Sequence, residues 1–244
     1  MIQNSFFNRA CLPRRARRRQ AAVVITAAGT SSRMGNGVKK EYLTVNGASL
    51  LAMAVTPFID TGVFPTIVVT FCKNQKEPTL AALGGIPVYS TLLLVEGGET
   101  RQKSVALGLT ALQSYKPRYV LIHDGARPWV SKEIILAVLE KTVEFGACVP
   151  VIHARDAMKM VDSSSFITGH LKRGTVMAAQ TPQGFKYPEI LEAHEAAASD
   201  GGFYVDDTEI YNRYKGNVFT IAGDPANRKV TYPKDLELIE CSWE

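Results

Sequence analysis

Residues 23–43 read VVITAAGTSSRMGNGVKKEYL, an apolar run that breaks into small residues and then delivers Arg33, Lys39 and Lys40. Val23 to Thr26 are uncharged and β-branched, the composition of a strand buried on both faces of a parallel sheet. Ala27, Ala28 and Gly29 then remove side-chain bulk. Backbone N–H groups there, or at a following helix N-terminus, are free to face negative charge at close range. Arg33 brings a planar fork that fixes phosphate orientation, and Lys40 a compact ammonium on a flexible stem. Strand, small-residue loop and cations in that order read as a nucleoside triphosphate site. The plainer reading stays open at this point, because a glycine loop after a strand is common in α/β domains and Lys39-Lys40 is by itself a solvated pair.

Two familiar phosphate loops are excluded. GxxxxGK[ST] is absent, since Gly29 is followed by Met34 and then Gly35-Asn36 with no Lys-Ser or Lys-Thr. GxGxxG fails because position 31 is Ser and position 34 is Met.

The remaining chain alternates β-rich runs, Thr66 to Phe71, Pro87 to Val95, Tyr119 to His123 and Val149 to Ile152, with amphipathic helices over Leu50 to Ile59, Thr100 to Ser114 and Ser131 to Phe145. Such alternation predicts parallel strands joined by right-handed crossovers, with the ligand beyond the strands' carboxyl ends. Arg155 to Leu171 departs from it as a polar, β-rich excursion of the kind that reaches a partner subunit.

A chain of 244 residues with 46% hydrophobic content suffices for one large α/β domain with a proper core. The net charge of +5 is local: six arginines lie in the first twenty residues, and without them 22 basic residues face 23 acidic ones. The body therefore carries no general nucleic-acid signature. Residues 1–20 are expected to be a disordered, self-repelling basic tail before a single domain at 21–244. An Arg-Arg pair before the apolar run Ala21 to Ala28 imitates an export signal, but that run is needed as the strand of the nucleotide loop. No run approaches the roughly 18 apolar residues of a membrane span. Cys11, Cys72, Cys148 and Cys241 stand far apart without CxxC, so neither disulfide framework nor zinc ribbon is indicated, and a cytoplasmic setting is expected. The four histidines lack metal-ligand spacing.

Two further strand ends carry candidates. In Gly97-Gly98-Glu99-Thr100-Arg101-Gln102-Lys103-Ser104, paired glycines let a base approach backbone and Ser104 sits one turn into a helix; alone, this is also a turn with an N-cap. His123-Asp124-Gly125-Ala126-Arg127-Pro128 follows the buried run Tyr119 to Ile122. Asp124 there can bind a ribose hydroxyl, a metal or an acceptor, ordered by Arg127 through a charge-assisted bond, or the pair simply closes a turn.

Taken together, AAGTSSRMG, KEYL, GGETRQKS, HDGARP, RDAMK, AAQTPQGF, DDTE and NRKVTYPKDL resemble, in order and spacing over about Ala21 to Glu240, the 2-C-methyl-D-erythritol 4-phosphate cytidylyltransferases of the non-mevalonate isoprenoid pathway. The resemblance implies a Rossmann-like nucleotidyltransferase fold, a mostly parallel twisted sheet with helices on both faces and a protruding β-arm at about 153–175. It implies a homodimer that exchanges this arm; on the charge and hydropathy grounds above, neither a nucleic-acid nor a membrane partner is expected. The implied reaction is Mg²⁺-dependent transfer of CMP from CTP to a sugar-alcohol phosphate, with release of pyrophosphate. By position, Ala27, Ala28, Gly29, Thr30 and Ser31 would cradle the nucleotide, and Gly98, Glu99, Ser104, Asp124 and Gly125 would complete its pocket. Arg33 and Lys40 match transition-state stabilisers. Arg173, reaching across the dimer, and Lys229 match the pair that positions the acceptor phosphate. Asp124, Arg127, Ala157, Thr181 and Val205 would border the acceptor. The resemblance leaves the metal ligands unassigned, with Asp124 through water the one candidate.

Four positions depart from the family pattern. Ser31 stands for a second loop glycine, Lys39 for a proline, and Ala157 and Val205 for threonines. The last two remove hydroxyls from the acceptor side, which keeps a CDP-ribitol pyrophosphorylase as the alternative enzyme. A non-catalytic nucleotide-binding or adaptor protein using the basic tail is the alternative from another class.

Overall fold

The computed structural model describes residues 20–31, 34, 39–86 and 90–236. Residues 1–19 of the expected tail, Arg33 and the start of the expected strand at Pro87 lie outside the described residues. In chain order the strands are β1 (Ala21–Ala27), β2 (Thr44–Val45), β3 (Ala48–Ser49), β4 (Thr66–Phe71), β5 (Thr91–Glu96), β6 (Tyr119–Asp124), β7 (Ala147–His153), β8 (Lys159–Val161), β9 (Ile167–His170), β10 (Met177–Ala179), β11 (Gln183–Lys186) and β12 (Phe219–Ala222). The helices are α1 (Leu50–Thr61), α2 (Lys76–Ala82), α3 (Arg101–Thr110), α4 (Lys132–Phe145), α5 (Tyr187–Asp200) and α6 (Asp207–Tyr214).

β1 lies inside the main sheet, whose order is β10-β7-β11-β6-β1-β4-β5, with β12 pairing β7. It runs parallel to both neighbours, and Val24 stands opposite Val68 and Ile122. Successive side chains of a strand point to opposite faces. Ala21, Val23, Ile25 and Ala27 accordingly pack with Leu51 and Phe58 of α1 and Ile135 and Val138 of α4, whereas Ala22 and Val24 pack with Val105 and Leu109 of α3 and Ile190 of α5. Helices therefore cover both faces. Val23, Val24 and Ile25 are fully buried, and burial of such a side chain stabilises the fold by about 1.5–3 kcal/mol. α3 approaches β1 so closely that a Cβ at Gly108 would stand 2.7 Å from Val24 Cγ1.

The helix starts follow from side-chain caps. Ser49, Thr100 and Ser131 accept the N–H groups of Ala52, Lys103 and Ile134, and Asp206 accepts those of Thr208 and Glu209. Thr100 is thus the cap of α3, and the expected helix stops at Thr110 with turns beyond it. The described part of the expected third strand begins at Thr91.

The sheet is mostly parallel, as expected, and its antiparallel strands lie on one side. β11 inserts antiparallel between β6 and β7, and β10 pairs antiparallel with the end of β7. The reason lies in the excursion: after β7 the chain leaves the sheet, forms the β8–β9 hairpin, and re-enters from the carboxyl end. That hairpin is a separate two-stranded sheet exposing Met160, Val161, Phe166 and Ile167. No helix among the described residues is long and apolar enough to cross a membrane.

Candidate active site

The carboxyl ends of β1, β5 and β6 meet at a cavity of about 280 Å³, lined among others by Ala28, Gly29, Thr30, Ser31, Lys40, Arg101, Ser104, Asp124 and Lys229. A second cavity of about 330 Å³ lies at the opposite, amino end of the strands, where Ala21, Pro65, Thr91 and Tyr115 line it without any charged side chain. Chemistry belongs to the first.

Asp124, at the end of β6, is its electrostatic centre. Arg101 Nε lies 3.2 Å from Oδ1, Lys229 Nζ 2.8 Å from Oδ2 and Arg127 Nε 3.6 Å from Oδ2. Burial pushes this carboxyl upward, but Arg101, Lys229 and Arg127 outweigh it and hold Asp124 well below the ordinary carboxylate range. The turn reading also holds, because Arg127 N–H donates to the Asp124 carbonyl at 3.0 Å while its Nη1 donates to the Asn227 carbonyl.

Arg101 has a second partner. Its Nη1 is 2.8 Å from Oδ2 of the fully buried Asp207, whose Oδ1 lies 3.1 Å from His194 Nε2. Burial raises the Asp207 carboxyl, and Arg101 with His194 more than reverses this. The motifs GGETRQKS and DDTE do not by themselves assign a role to Arg101 or Asp207. A signal existed: Arg101 and Lys103 open α3, where the helix dipole disfavours positive charge.

His123 holds Asp124 from the backbone side. Its Nε2 faces the Arg127 carbonyl at 3.1 Å and must carry the proton, so Nδ1 accepts from Thr181 Oγ1 at 2.9 Å, which in turn accepts the Asp124 N–H at 3.1 Å. Thr181 is buried, and its hydroxyl links the His123 ring to the Asp124 backbone. Burial above all pushes the His123 pKa down to about 4 from 6.5. A depressed histidine pKa stabilises the fold above the unfolded value, and this contribution is lost as pH falls from 6.5 toward 4. Measured by urea unfolding, the stability advantage of the wild type over His123→Gln is expected to shrink by about 2–3 kcal/mol between pH 7.5 and 4.5. A constant difference would contradict the buried neutral imidazole.

The loop after β1 and the turn after β5 support each other. A Cβ at Gly97 would stand 2.4 Å from Ala28 Cβ and 2.7 Å from Ser104 Oγ, and one at Gly98 would stand 2.5 Å from Lys103 Cβ. These glycines are required by the protein's packing on itself, whereas a Cβ at Gly29 would meet nothing within 4 Å. Ser104 Oγ pins the turn by accepting the Gly98 N–H and donating to the Thr100 carbonyl. Glu99 is not among the residues that line the cavity, and its side chain is 85% exposed with Nζ of Lys103 at 2.8 Å.

Ser31 takes φ +53°, a left-handed conformation that costs a side chain about 1–2 kcal/mol. Its hydroxyl offsets this by donating to Glu41 Oε2 at 3.1 Å and accepting the Lys40 N–H at 3.4 Å. Lys40, buried in a short 3-10 turn, donates through Nζ to the Val230 carbonyl at 2.8 Å across 190 residues of sequence. The Val230 N–H donates to the Ala126 carbonyl, and Asn227 Nδ2 to that of Thr181. The late segment is thereby stitched over the site, which brings Lys40, Lys229, Arg127 and Asp124 together.

Arg173, in the 3-10 turn Arg173–Thr175, and Ala157 are exposed on or beside the arm, and Val205 is 79% exposed before α6. None of the three lines the cavity of its own chain.

The family model for 2-C-methyl-D-erythritol 4-phosphate cytidylyltransferase matches residues 21–243. The chain belongs to this family. It is similar to the bifunctional enzyme IspD/IspF of Brucella anthropi, at 36% identity over 90% of this chain and 54% of the relative. The same enzyme of Rhodopseudomonas palustris strain TIE-1 is 39% identical over 89% of this chain and 54% of the relative. The chain thus spans about half the length of these curated relatives. Among solved structures, the 2-C-methyl-D-erythritol 4-phosphate cytidylyltransferase of Thermus thermophilus aligns with a TM-score of 0.72 and 31% identity, covering 91% of this chain and 97% of that one. The fold is also that of the 4-diphosphocytidyl-2C-methyl-D-erythritol synthase from Anaerococcus prevotii, with a TM-score of 0.80, 24% identity, and coverage of 90% and 94%. Membership accounts for the order of the motifs along the chain and for their convergence at one sheet edge.

Proposed function

We propose that this chain transfers CMP from CTP to the phosphate of 2-C-methyl-D-erythritol 4-phosphate, giving 4-diphosphocytidyl-2-C-methyl-D-erythritol and pyrophosphate. The observation that carries the proposal is the meeting of Lys40, Lys229 and Asp124, far apart in sequence, at one cavity beside the small-residue loop. The acceptor phosphate is already an anionic nucleophile. One of its oxygens bonds to the α-phosphorus as the bond to the β-phosphate breaks, so alignment and charge neutralisation supply the catalysis without a general base. Lys40, with Arg33, would stabilise the developing charge. Lys229 would hold the acceptor phosphate, with Arg173 supplied by the second subunit of a homodimer whose arm exposes Met160, Phe166 and Ile167. Ala27 to Ser31 would cradle the nucleotide, and Gly98 and Ser104 would read cytosine largely through backbone.

Among the described residues no three His, Cys, Asp or Glu side chains group as a metal site. Magnesium prefers about six oxygens, and Asp124 offers one carboxylate already shared by three cations. This donor set fits Mg²⁺ when the triphosphate brings most of the oxygens and Asp124 makes the protein contact through water. There the ion would neutralise phosphate charge. The absence of hydroxyls at Ala157 and Val205 favours ribitol phosphate as the second acceptor to try. The test is pyrophosphate release with CTP and Mg²⁺ in the presence and absence of 2-C-methyl-D-erythritol 4-phosphate. Acceptor-dependent release is expected, and none with this acceptor would overturn the proposal.

A further inference from the structure

We propose that Lys39 is a positioning residue that holds the nucleotide loop from behind and turns its amides toward the triphosphate. The inference rests on the reading of the cavity as a CTP site. Read in the sequence as half of a solvated pair, Lys39 has only 13% of its side chain exposed. Its Nζ donates to the carbonyls of Ala27 at 2.9 Å and Gly29 at 2.5 Å, lies 5.8 Å from the Tyr42 ring centre, and has Glu41 Oε2 at 4.0 Å. The carbonyl between them, that of Ala28, accepts from Cys72 Sγ at 2.8 Å. All three carbonyls of the loop are therefore held by protein donors.

The consequence follows from the peptide bond. In a planar trans peptide the C=O of one residue and the N–H of the next point in opposite directions. With the Ala27 and Gly29 carbonyls drawn to Lys39, the N–H groups of Ala28 and Thr30 face the other way. Ala28, Gly29, Thr30 and Ser31 line the cavity, and Lys39 is not among its lining residues. Lys39 thus stands on one side of the loop and the cavity on the other, so the amides face the place where phosphate oxygens would lie, as anion-binding backbone requires. Without the ammonium, the Ala27 carbonyl loses this anchor and that of Gly29 keeps only Cys72 Sγ at 3.5 Å, so either peptide can turn a lone pair toward the phosphates.

The test compares wild type, Lys39→Met and Lys39→Arg in the full chain by calorimetric binding of CTP and CMP, with KM for both substrates from pyrophosphate release. Lys39→Met is expected to weaken CTP binding by about tenfold, the scale of one lost net hydrogen bond to a charged group, with a smaller loss for CMP. KM for CTP rises accordingly while KM for the acceptor is unchanged. Lys39→Arg, which keeps two donors, stays within about threefold of wild type. Unchanged CTP affinity in Lys39→Met, equal losses for CTP and CMP, or failure of arginine to restore binding would each overturn the proposal. If Lys39→Met fails to fold, the arginine variant still decides it by binding as wild type or not. Wild type that does not bind CTP would instead overturn the nucleotide reading itself.

Discussion

Asp124→Asn is expected to lower the unfolding free energy by about 3–5 kcal/mol at pH 7, read from urea denaturation. That is the scale on which removing one partner of a buried ionic group destabilises a protein. The carboxylate is buried and stands within 3.6 Å of Arg101, Lys229 and Arg127. An amide leaves these three cations crowded and uncompensated, with Arg101 pulled toward Asp207 alone. The pH dependence has a definite sign. The folded pKa of Asp124 is depressed below 3.8, so its contribution is full above the unfolded value and is lost only as pH falls through the folded one. Asp124→Asn should therefore flatten the acid limb of the stability profile as well as lower its plateau. A variant as stable as wild type at pH 7 would mean that the cations do not depend on this carboxylate.

Lys40→Ala is expected to lower kcat by roughly 10²–10³, the effect of removing one preorganised contact to transition-state charge. Nζ of Lys40 is held by the Val230 carbonyl beside the cavity, so its position is set before any substrate arrives. If it acts on charge that develops during the reaction, KM for CTP changes far less than kcat. Lys40→Met, which keeps most of the buried stem, separates lost charge from lost packing. Full activity in either variant would remove Lys40 from the transition state.

Much of the scaffold was legible because its causes are local. The uncharged run at β1 is buried on both faces, and Ser49, Thr100 and Ser131 cap the helices that the apolar periodicity predicts. Ala28, Gly29 and Asp124 were legible as strand ends, since a parallel sheet presents such ends to its ligand. The antiparallel entry of β11 was not, because a four-residue strand carries no mark of direction. Nor does DDTE reveal that Asp206 caps α6 while Asp207 is the buried partner of Arg101. Lys229 was legible only through resemblance, since its partner lies more than a hundred residues earlier. Two departures from the family pattern gained a physical meaning. Ser31 adopts the positive φ that explains a glycine there, and Lys39 reaches back to the loop.

The most direct measurement is product formation with CTP and Mg²⁺ when 2-C-methyl-D-erythritol 4-phosphate and ribitol 5-phosphate are supplied separately and in competition. Formation of 4-diphosphocytidyl-2-C-methyl-D-erythritol, favoured in competition and dependent on Lys40 and Lys229, is the expected result. CDP-ribitol as the main product, or no pyrophosphate from either acceptor, would contradict it.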